Sequence, residues 1–238
     1  MNIFDIGILL LLIMFAIIGW KQGVIREGVS LVGIVIVFFI AFSFKATLGK
    51  ILCLICPFFK FSGPLEGMVT INIFVYQLIA FLIIFSLLMS LYAIFLKISK
   101  LLQKVVNLTL ILWLPSKIAG AVIGLIKGYI VLFAVLLVLM IPLSQQELYT
   151  NSSMVSTVLY HTPILSAKTD KFTTSFNEVY ELSKSVAEKE TTTNDANLKA
   201  LDIMLKYDIV NKNTIEQLIK LHKLDSIQNI DTVLDQYE

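Results

Sequence analysis

The fold is decided by residues 118–141, which read IAGAVIGLIKGYIVLFAVLLVLMI. The segment is long enough to cross the roughly 30 Å hydrocarbon core of a bilayer, which takes about 20 apolar residues in a helix. It carries one charge, Lys127, and Pro142 follows its last residue. The segment is therefore predicted to be a transmembrane helix.

Three more apolar segments precede it, at Ile3–Trp20, Val24–Phe44 and Ile71–Leu96. No basic residue comes before the first segment and no small-x-small cleavage site follows it cleanly, which favours a membrane span over a signal peptide. The chain is thus predicted to have four spans, all before residue 142.

Two connecting segments are also apolar. Within the connector 45–70, Ile51–Phe59 is too short to span a bilayer, so it is predicted to be an interfacial or re-entrant piece. From Lys97 to Val106, lysines at positions 97, 100 and 104 share one helical face opposite apolar residues. This pattern predicts an amphipathic helix on the membrane surface, and the alternative is a water-exposed extension of the third span.

The residues after 144 are patterned differently, with apolar side chains at helical spacing. They predict four tail helices, marked by Phe172 to Val186, Leu198 to Leu205, Ile215 to Ile219 and Ile230 to Leu234. Asn194 or Asp195 is the expected cap of the second. The predicted fold is an all-α membrane protein: four transmembrane helices with an interfacial amphipathic helix in residues 1–144, and a soluble helical tail in residues 145–238. So small a tail is marginal alone, so it could pack on something else.

Composition and charge agree with this division. The chain is 57% hydrophobic and 15% charged, whereas soluble domains are about 25% charged. Residues 1–141 contain ten Lys and Arg against three Asp and Glu, a net charge of +7, and residues 142–238 contain nine against fourteen, a net charge of −5. The basic half is expected to meet anionic lipid of the bilayer. The acidic half does not resemble a nucleic-acid-binding surface.

The distribution of Lys and Arg in the connectors predicts the orientation. The first and third connectors together hold six of these residues and the second holds three. Placing the larger number in the cytoplasm puts the N-terminus and the tail outside it, in a multi-pass protein of the cell membrane.

Lys127 is the first candidate for a functional residue, because a charge near the bilayer midplane costs about 2.5–3.5 kcal/mol on insertion scales. We expect it either to pair with Glu27 across two helices or to extend its ammonium group to the interface. The other charged candidates in or near the spans are Asp5, Arg26 and Lys117.

Glycines supply the packing candidates. Gly120, Gly124 and Gly128 recur every four residues, so they share one face on which another backbone can approach closely. The partner is either another span of this chain or a second copy of it. Gly19 and Gly23 flank the first connector and are candidates for the same kind of packing.

No nucleophile, base or metal-ligand motif is present, so no enzymatic activity and no cofactor or metal is expected. Cys53 and Cys56 have the spacing of a redox or metal half-site without a second pair. Membrane-facing thiols are the favoured interpretation, and a disulfide or a lipid-modified cysteine is the alternative. The two histidines, His161 and His222, lie far from each other and from the cysteines.

Two stretches together resemble the colicin V production (CvpA) family. Residues 19–27, GWKQGVIRE, are similar to that family's first connector, and residues 115–128, PSKIAGAVIGLIKG, to its last span. The resemblance covers roughly residues 1–145. Gln22, Val24 and Lys117 depart from the usual residues, and a lysine could not reproduce a bidentate contact of the common arginine.

This resemblance implies a protein of the cytoplasmic membrane that is linked to production or export of a colicin-type toxin and to envelope or biofilm phenotypes, with no established reaction. The favoured interpretation is a membrane accessory or scaffold whose tail binds membrane or envelope proteins. A small transporter or channel that uses Lys127 and Glu27 is the alternative, and it would need a homo-oligomer.

Overall fold

The computed structural model describes residues 2–103 and 113–237, with side chains for residues 2–97 and 116–237. Within these residues the secondary structure is α-helical, apart from a short 3-10 helix at Gly63–Leu65, and contains no strand. The helices are α1 (Ile3–Gln22), α2 (Val24–Ile55), α3 (Ile71–Gln103), α4 (Trp113–Leu139), α5 (Glu147–Thr150), α6 (Ser153–Tyr160), α7 (Leu165–Ala187), α8 (Thr193–Lys206), α9 (Lys212–Lys220) and α10 (Asp231–Leu234).

Helices α1 to α4 are each long and apolar enough to cross a membrane, as predicted. Large apolar side chains point away from the protein along them. In α1, for example, Leu10 is 61% exposed and Ile17 is 51% exposed. Contiguous apolar surface of this kind is unfavourable in water and suits the hydrocarbon of a bilayer. The predicted all-α class with four spans is confirmed.

The sequence-based end of the second span was wrong. Residues 45–55, assigned to a connector with an interfacial or re-entrant piece, continue α2 as far as Ile55. Lys45 does not end the helix, because its side chain is buried and its ammonium group donates to Gln77 Oε1 at 2.7 Å. With 32 residues, α2 is about 48 Å long, which exceeds the thickness of the hydrocarbon core.

The predicted interfacial helix at Lys97–Val106 lies largely outside the described residues. Its first part, as far as Gln103, continues the backbone of α3. Helix α4 begins at Trp113 rather than Ile118, so that Pro115 falls in its first turn, where a missing N–H leaves no intrahelical hydrogen bond unmade.

Packing divides the chain into two units. The first consists of residues 1–43 and 82–162, and the second of residues 44–81 and 163–238. Both α2 and α3 contribute one part to each unit. The sequence-based boundary between residues 144 and 145 divides a membrane part from a soluble part, which is a different division from that into packed units. That boundary stays a prediction.

The first unit is organised around α1 and α4, which pack along each other. The α2 and α3 segments of this unit meet where Tyr92 Oη donates to the Val29 carbonyl oxygen at 2.7 Å. The ring of Tyr92 occupies the space that a Cβ at Gly33 would fill.

The second unit is built around the beginning of α3. Phe74 is fully buried there, with its ring 5.3 Å from that of Phe172 and 5.6 Å from that of Phe176 in α7. The ammonium of Lys45 lies 4.2 Å from the Phe172 ring centroid, a cation–π contact. The tail residues 163–238 therefore share one core with the end of α2 and the start of α3.

The predicted tail helices are found at α7, α8, α9 and α10. The cap of α8 is Thr192, whose side chain accepts from the Asp195 backbone N–H, and not Asn194 or Asp195 as expected. A cap residue directly precedes the helix, so that its side-chain oxygen reaches the N–H of the second or third helical residue, and Thr192 has that position. The short helices α5 and α6 were not predicted.

Candidate functional site in the membrane-spanning helices

The glycine face of α4 packs against α1 of the same chain. A Cβ built on Gly120 would lie 2.5 Å from the Gly19 carbonyl oxygen, and one built on Gly124 would lie 2.5 Å from the Phe15 carbonyl oxygen. On Gly128 it would lie 2.6 Å from the Phe15 Cβ. Side chains at these positions would separate the helices, so the glycines allow backbone-to-backbone contact. Of the two possible partners, another span or a second copy, it is another span of the same chain, α1, that occupies this face.

The turn between α1 and α2 is fixed against the start of α4. Gly23 has a φ of 79°, which favours glycine, and its N–H donates to the Gly19 carbonyl oxygen at 2.9 Å. The next residue, Val24, donates its N–H to Ser116 Oγ at 3.3 Å. The Glu27 N–H then donates to the Gly23 carbonyl oxygen at 3.1 Å, so this turn fixes the position of Glu27 in the first turn of α2.

Glu27 and Lys127 form an ion pair inside the first unit. The Glu27 side chain is fully buried and that of Lys127 is 8% exposed. The hypothesis of a pair across two helices therefore agrees with the geometry, and the alternative of an ammonium extended to the interface does not. Phe15 of α1 also borders the pair, with its ring centroid 5.8 Å from Lys127 Nζ.

Within the described part of the chain, Lys127 is the residue that compensates the Glu27 charge. Among the described residues, no donor makes a well-aligned hydrogen bond to either buried carboxylate oxygen of Glu27. The attraction of the ammonium offsets the loss of water from both charges, whereas removal of one partner leaves a buried charge uncompensated. The pair thus links α2 to α4 and is sensitive to any change that separates them.

Asp5 lies at the other end of α1 and has a different role. Its carboxylate accepts from the Asn2 N–H at 2.8 Å, which closes a capping box, and from Ser152 Oγ at 2.5 Å. It also accepts from the Met154 N–H at 3.3 Å, at the start of α6. Asp5 therefore joins the start of α1 to the start of α6 and does not join the Glu27–Lys127 pair.

The other two charged candidates are not part of the pair. Arg26 is exposed and Lys117 is half-buried. Sequence reasoning missed Ser116 and Ser152, which hold the two ends of α1 in place. Ser152 could have been found as a helix cap, because it precedes the run Met154 to Tyr160, which has a short apolar face.

The two cysteines lie at the end of α2 as free thiols, Cys53 buried and Cys56 partly exposed. Lys223 Nζ donates to both of their carbonyl oxygens, at 2.5 Å for Cys53 and 2.7 Å for Cys56. A lysine at this place donates to carbonyls that the helix end leaves unpaired, and its positive charge interacts favourably with the negative end of the helix dipole. Within the described residues no group of three or more His, Cys, Asp or Glu could hold a metal ion.

Four long apolar helices with outward apolar side chains, a glycine contact between two of them and a compensated buried charge define a multi-pass membrane protein. The family model described as Colicin V production protein matches residues 4–163. The chain belongs to the colicin V production family, as the two motifs predicted. No curated protein and no solved structure matches it.

Those two motifs are neighbours in the structure. Gly19, Gly23 and Glu27 come from the first motif, and they contact Gly120, Ser116 and Lys127 of the second. The residues that carry the resemblance are therefore the residues that hold α1, α2 and α4 together.

Proposed function

We propose that this protein is a non-enzymatic accessory or scaffold protein of the bacterial cell envelope, connected with the production or export of a peptide toxin, and that its tail binds a membrane or envelope protein. The observation that carries this proposal is the fixed association of α1, α2 and α4. Backbone contact at the glycines leaves no room for a path between α1 and α4.

The tail supports the same conclusion. It is folded onto the end of α2 and the start of α3 through Phe74 and Lys45, and Gln77 Nε2 donates to the Ile209 carbonyl oxygen at 2.6 Å. A folded, acidic tail held by two apolar helices is suited to present a binding surface at the membrane.

The orientation that we propose places the N-terminus and the tail outside the cytoplasm. Two contacts within the first unit indicate which segments lie on the same side of the membrane. Asn2 Nδ2 donates to the Leu148 carbonyl oxygen at 2.7 Å, so the N-terminus and the segment after α4 lie together, and the Val24–Ser116 contact joins the first and third connectors. Four crossings require this arrangement, and the Lys and Arg counts choose its direction.

Labelling of cysteines tests the direction. Cys53 and Cys56 are first replaced by serine, and a single cysteine is placed at the exposed position Lys220. A membrane-impermeant maleimide is expected to label it in intact cells. Labelling that occurs only after lysis would reverse the orientation.

Site-specific photocrosslinking in cells tests the partner role. Deletion of the tail would uncover Phe74, so the test uses the full chain with a photoreactive residue at Leu221, which is 49% exposed on the tail. A control at Ile36, 52% exposed on α2, reports contacts with lipid. The proposal expects a discrete adduct with an envelope protein at Leu221 and none at Ile36. Adducts at neither position would refute it.

A transporter or channel is the second candidate, and the buried Glu27–Lys127 pair favours it, because ionisable groups inside spans often mark ion or proton pathways. Purified protein in liposomes that contain a pH-sensitive dye would reveal proton flux. Flux that Lys127→Met abolishes would support this function over the scaffold, and liposomes no leakier than protein-free ones would exclude proton transport.

A further inference from the structure

The second unit contains a cavity of about 510 Å³ whose lining is part polar and part apolar. Its walls come from the end of α2, the start of α3, and the residues from Leu205 through the start of α9, with Tyr237. This volume lies within the range of about 300–1,000 Å³ that small-molecule sites occupy. None of the lining residues belongs to the two family motifs at residues 19–27 and 115–128.

Two lysines give the cavity its character. Lys50 of α2 donates to Asn213 Oδ1 at 3.4 Å, and Lys212 of α9 donates to the Tyr237 carbonyl oxygen at 2.9 Å. Both of these partners are neutral oxygen atoms. Among the described residues, no carboxylate lies within 4.0 Å of either ammonium group, so the two charges are not neutralised by the part of the chain that is described.

The single acidic residue among the lining residues does not change this balance. Asp208 accepts a hydrogen bond from Lys171 Nζ at 2.5 Å, and Lys171 is not part of the lining. Both side chains of that pair are exposed, at 78% for Asp208 and 64% for Lys171, so water screens the Asp208 charge. With two lysines against one aspartate, the lining keeps a net positive charge.

We propose that this cavity binds a phosphate group carried on a small polar body. An ammonium is a compact point charge that binds phosphate well, and two of them offset the one or two negative charges of a phosphate ester. The hydroxyl of Thr47 also lines the cavity and can bond a polar body. Asn211 lines it too, and its Nδ2 is the group left to donate, because its Oδ1 accepts from the N–H and the hydroxyl of Thr214. The volume exceeds that of a bare phosphate ion and accommodates such a ligand.

The same chemistry occurs in two sources, a soluble phosphorylated compound and the headgroup of a phospholipid. Two arms distinguish them, both with the purified full chain. The first measures binding of sn-glycerol 3-phosphate and of inorganic phosphate by calorimetry in a neutral detergent. The second measures, by native mass spectrometry, how much phosphatidylglycerol and phosphatidylcholine the protein retains from mixed nanodiscs.

The double variant Lys50→Gln/Lys212→Gln is expected to lose binding by at least about tenfold in whichever arm is positive, because it removes two charge-assisted hydrogen bonds to the phosphate. Lys220→Gln removes the same charge from an exposed position on α9 outside the lining and is expected to bind as the wild type does. Lys50→Arg/Lys212→Arg keeps the charge and is expected to retain most of the binding. Thermal unfolding of each variant separates loss of the site from loss of the fold.

Binding in the first arm assigns a soluble ligand, and binding in the second assigns a lipid headgroup. Absence of binding in both arms, or equal binding by Lys50→Gln/Lys212→Gln and Lys220→Gln, would overturn the proposal.

Discussion

Gly124→Ala is the most direct test of the contact between α1 and α4. The added Cβ would lie 2.5 Å from the Phe15 carbonyl oxygen and 3.0 Å from the Gly19 Cα, both backbone atoms that no side-chain rotation can move away. Non-bonded carbon contacts are most favourable at about 3.5–4.0 Å, so the helices would have to separate by roughly 1 Å. Overpacking of this kind typically costs about 1–3 kcal/mol.

Because each 1.4 kcal/mol changes an equilibrium tenfold, the expected loss is about 5-fold to 140-fold in the folding equilibrium of the first unit. Separation of α1 from α4 would also weaken the nearby Glu27–Lys127 pair, so the upper part of that range is the more reasonable expectation. The assay is unfolding in bicelles, followed by a fluorescent pair on α1 and α4.

Gly7→Ala is the matched control, because it makes the same change in α1 where a Cβ would meet nothing within 4 Å. It is expected to be neutral or slightly stabilising, since alanine favours a helix by about 1 kcal/mol over glycine. Equal stability of Gly124→Ala and Gly7→Ala would refute the packing argument.

Three further predictions concern the buried pair, a cap and a tyrosine. Lys127→Met is expected to destabilise the protein by about 3–5 kcal/mol in the same unfolding assay, because it leaves Glu27 charged and buried. The double variant Lys127→Met/Glu27→Gln is expected to recover most of this loss, and a double variant as unstable as the single one would contradict the prediction. Ser152→Ala removes both the cap of α6 and a hydrogen bond to Asp5, so a loss of about 1–2 kcal/mol is expected by thermal unfolding. The hydrogen bond from Tyr237 to a carboxylate raises the pKa of Tyr237 to about 12, above the unfolded value near 10, so its contribution is complete below pH 10 and is lost as the pH rises towards 12. Stability measured from pH 8 to 12 should therefore fall less steeply for Tyr237→Phe than for the wild type, and parallel curves would exclude this contribution.

Features governed by the cost of placing a group in lipid could be predicted from the sequence. The four spans follow from apolar length, and the partnership of Lys127 with Glu27 follows from the scarcity of charges in the first 141 residues. The spacing of Gly120, Gly124 and Gly128 predicts a packing face, although the identity of α1 as its partner depends on the three-dimensional arrangement.

Features that depend on long-range packing could not be predicted. A lysine at position 45 indicates the end of a span when only the sequence is considered, yet Lys45 is buried by tail residues more than a hundred positions later, and α2 continues past it. The hydrogen bond from Ser152 to Asp5 and that from Lys223 to the end of α2 likewise join distant segments, and no local pattern announces such pairs.

The shared core of the second unit has a consequence for the order of biosynthesis. Phe74 and the buried face around it belong to a helix that is made and inserted early, whereas Phe172 and Phe176, which cover that face, are made about a hundred residues later. Until the ribosome has released α7, this face lacks the side chains that cover it in the folded chain, and exposed apolar surface of this kind promotes aggregation. A chain stalled before α7 therefore lacks the ring contacts that bury Phe74, and the core of the second unit forms only once the tail is complete.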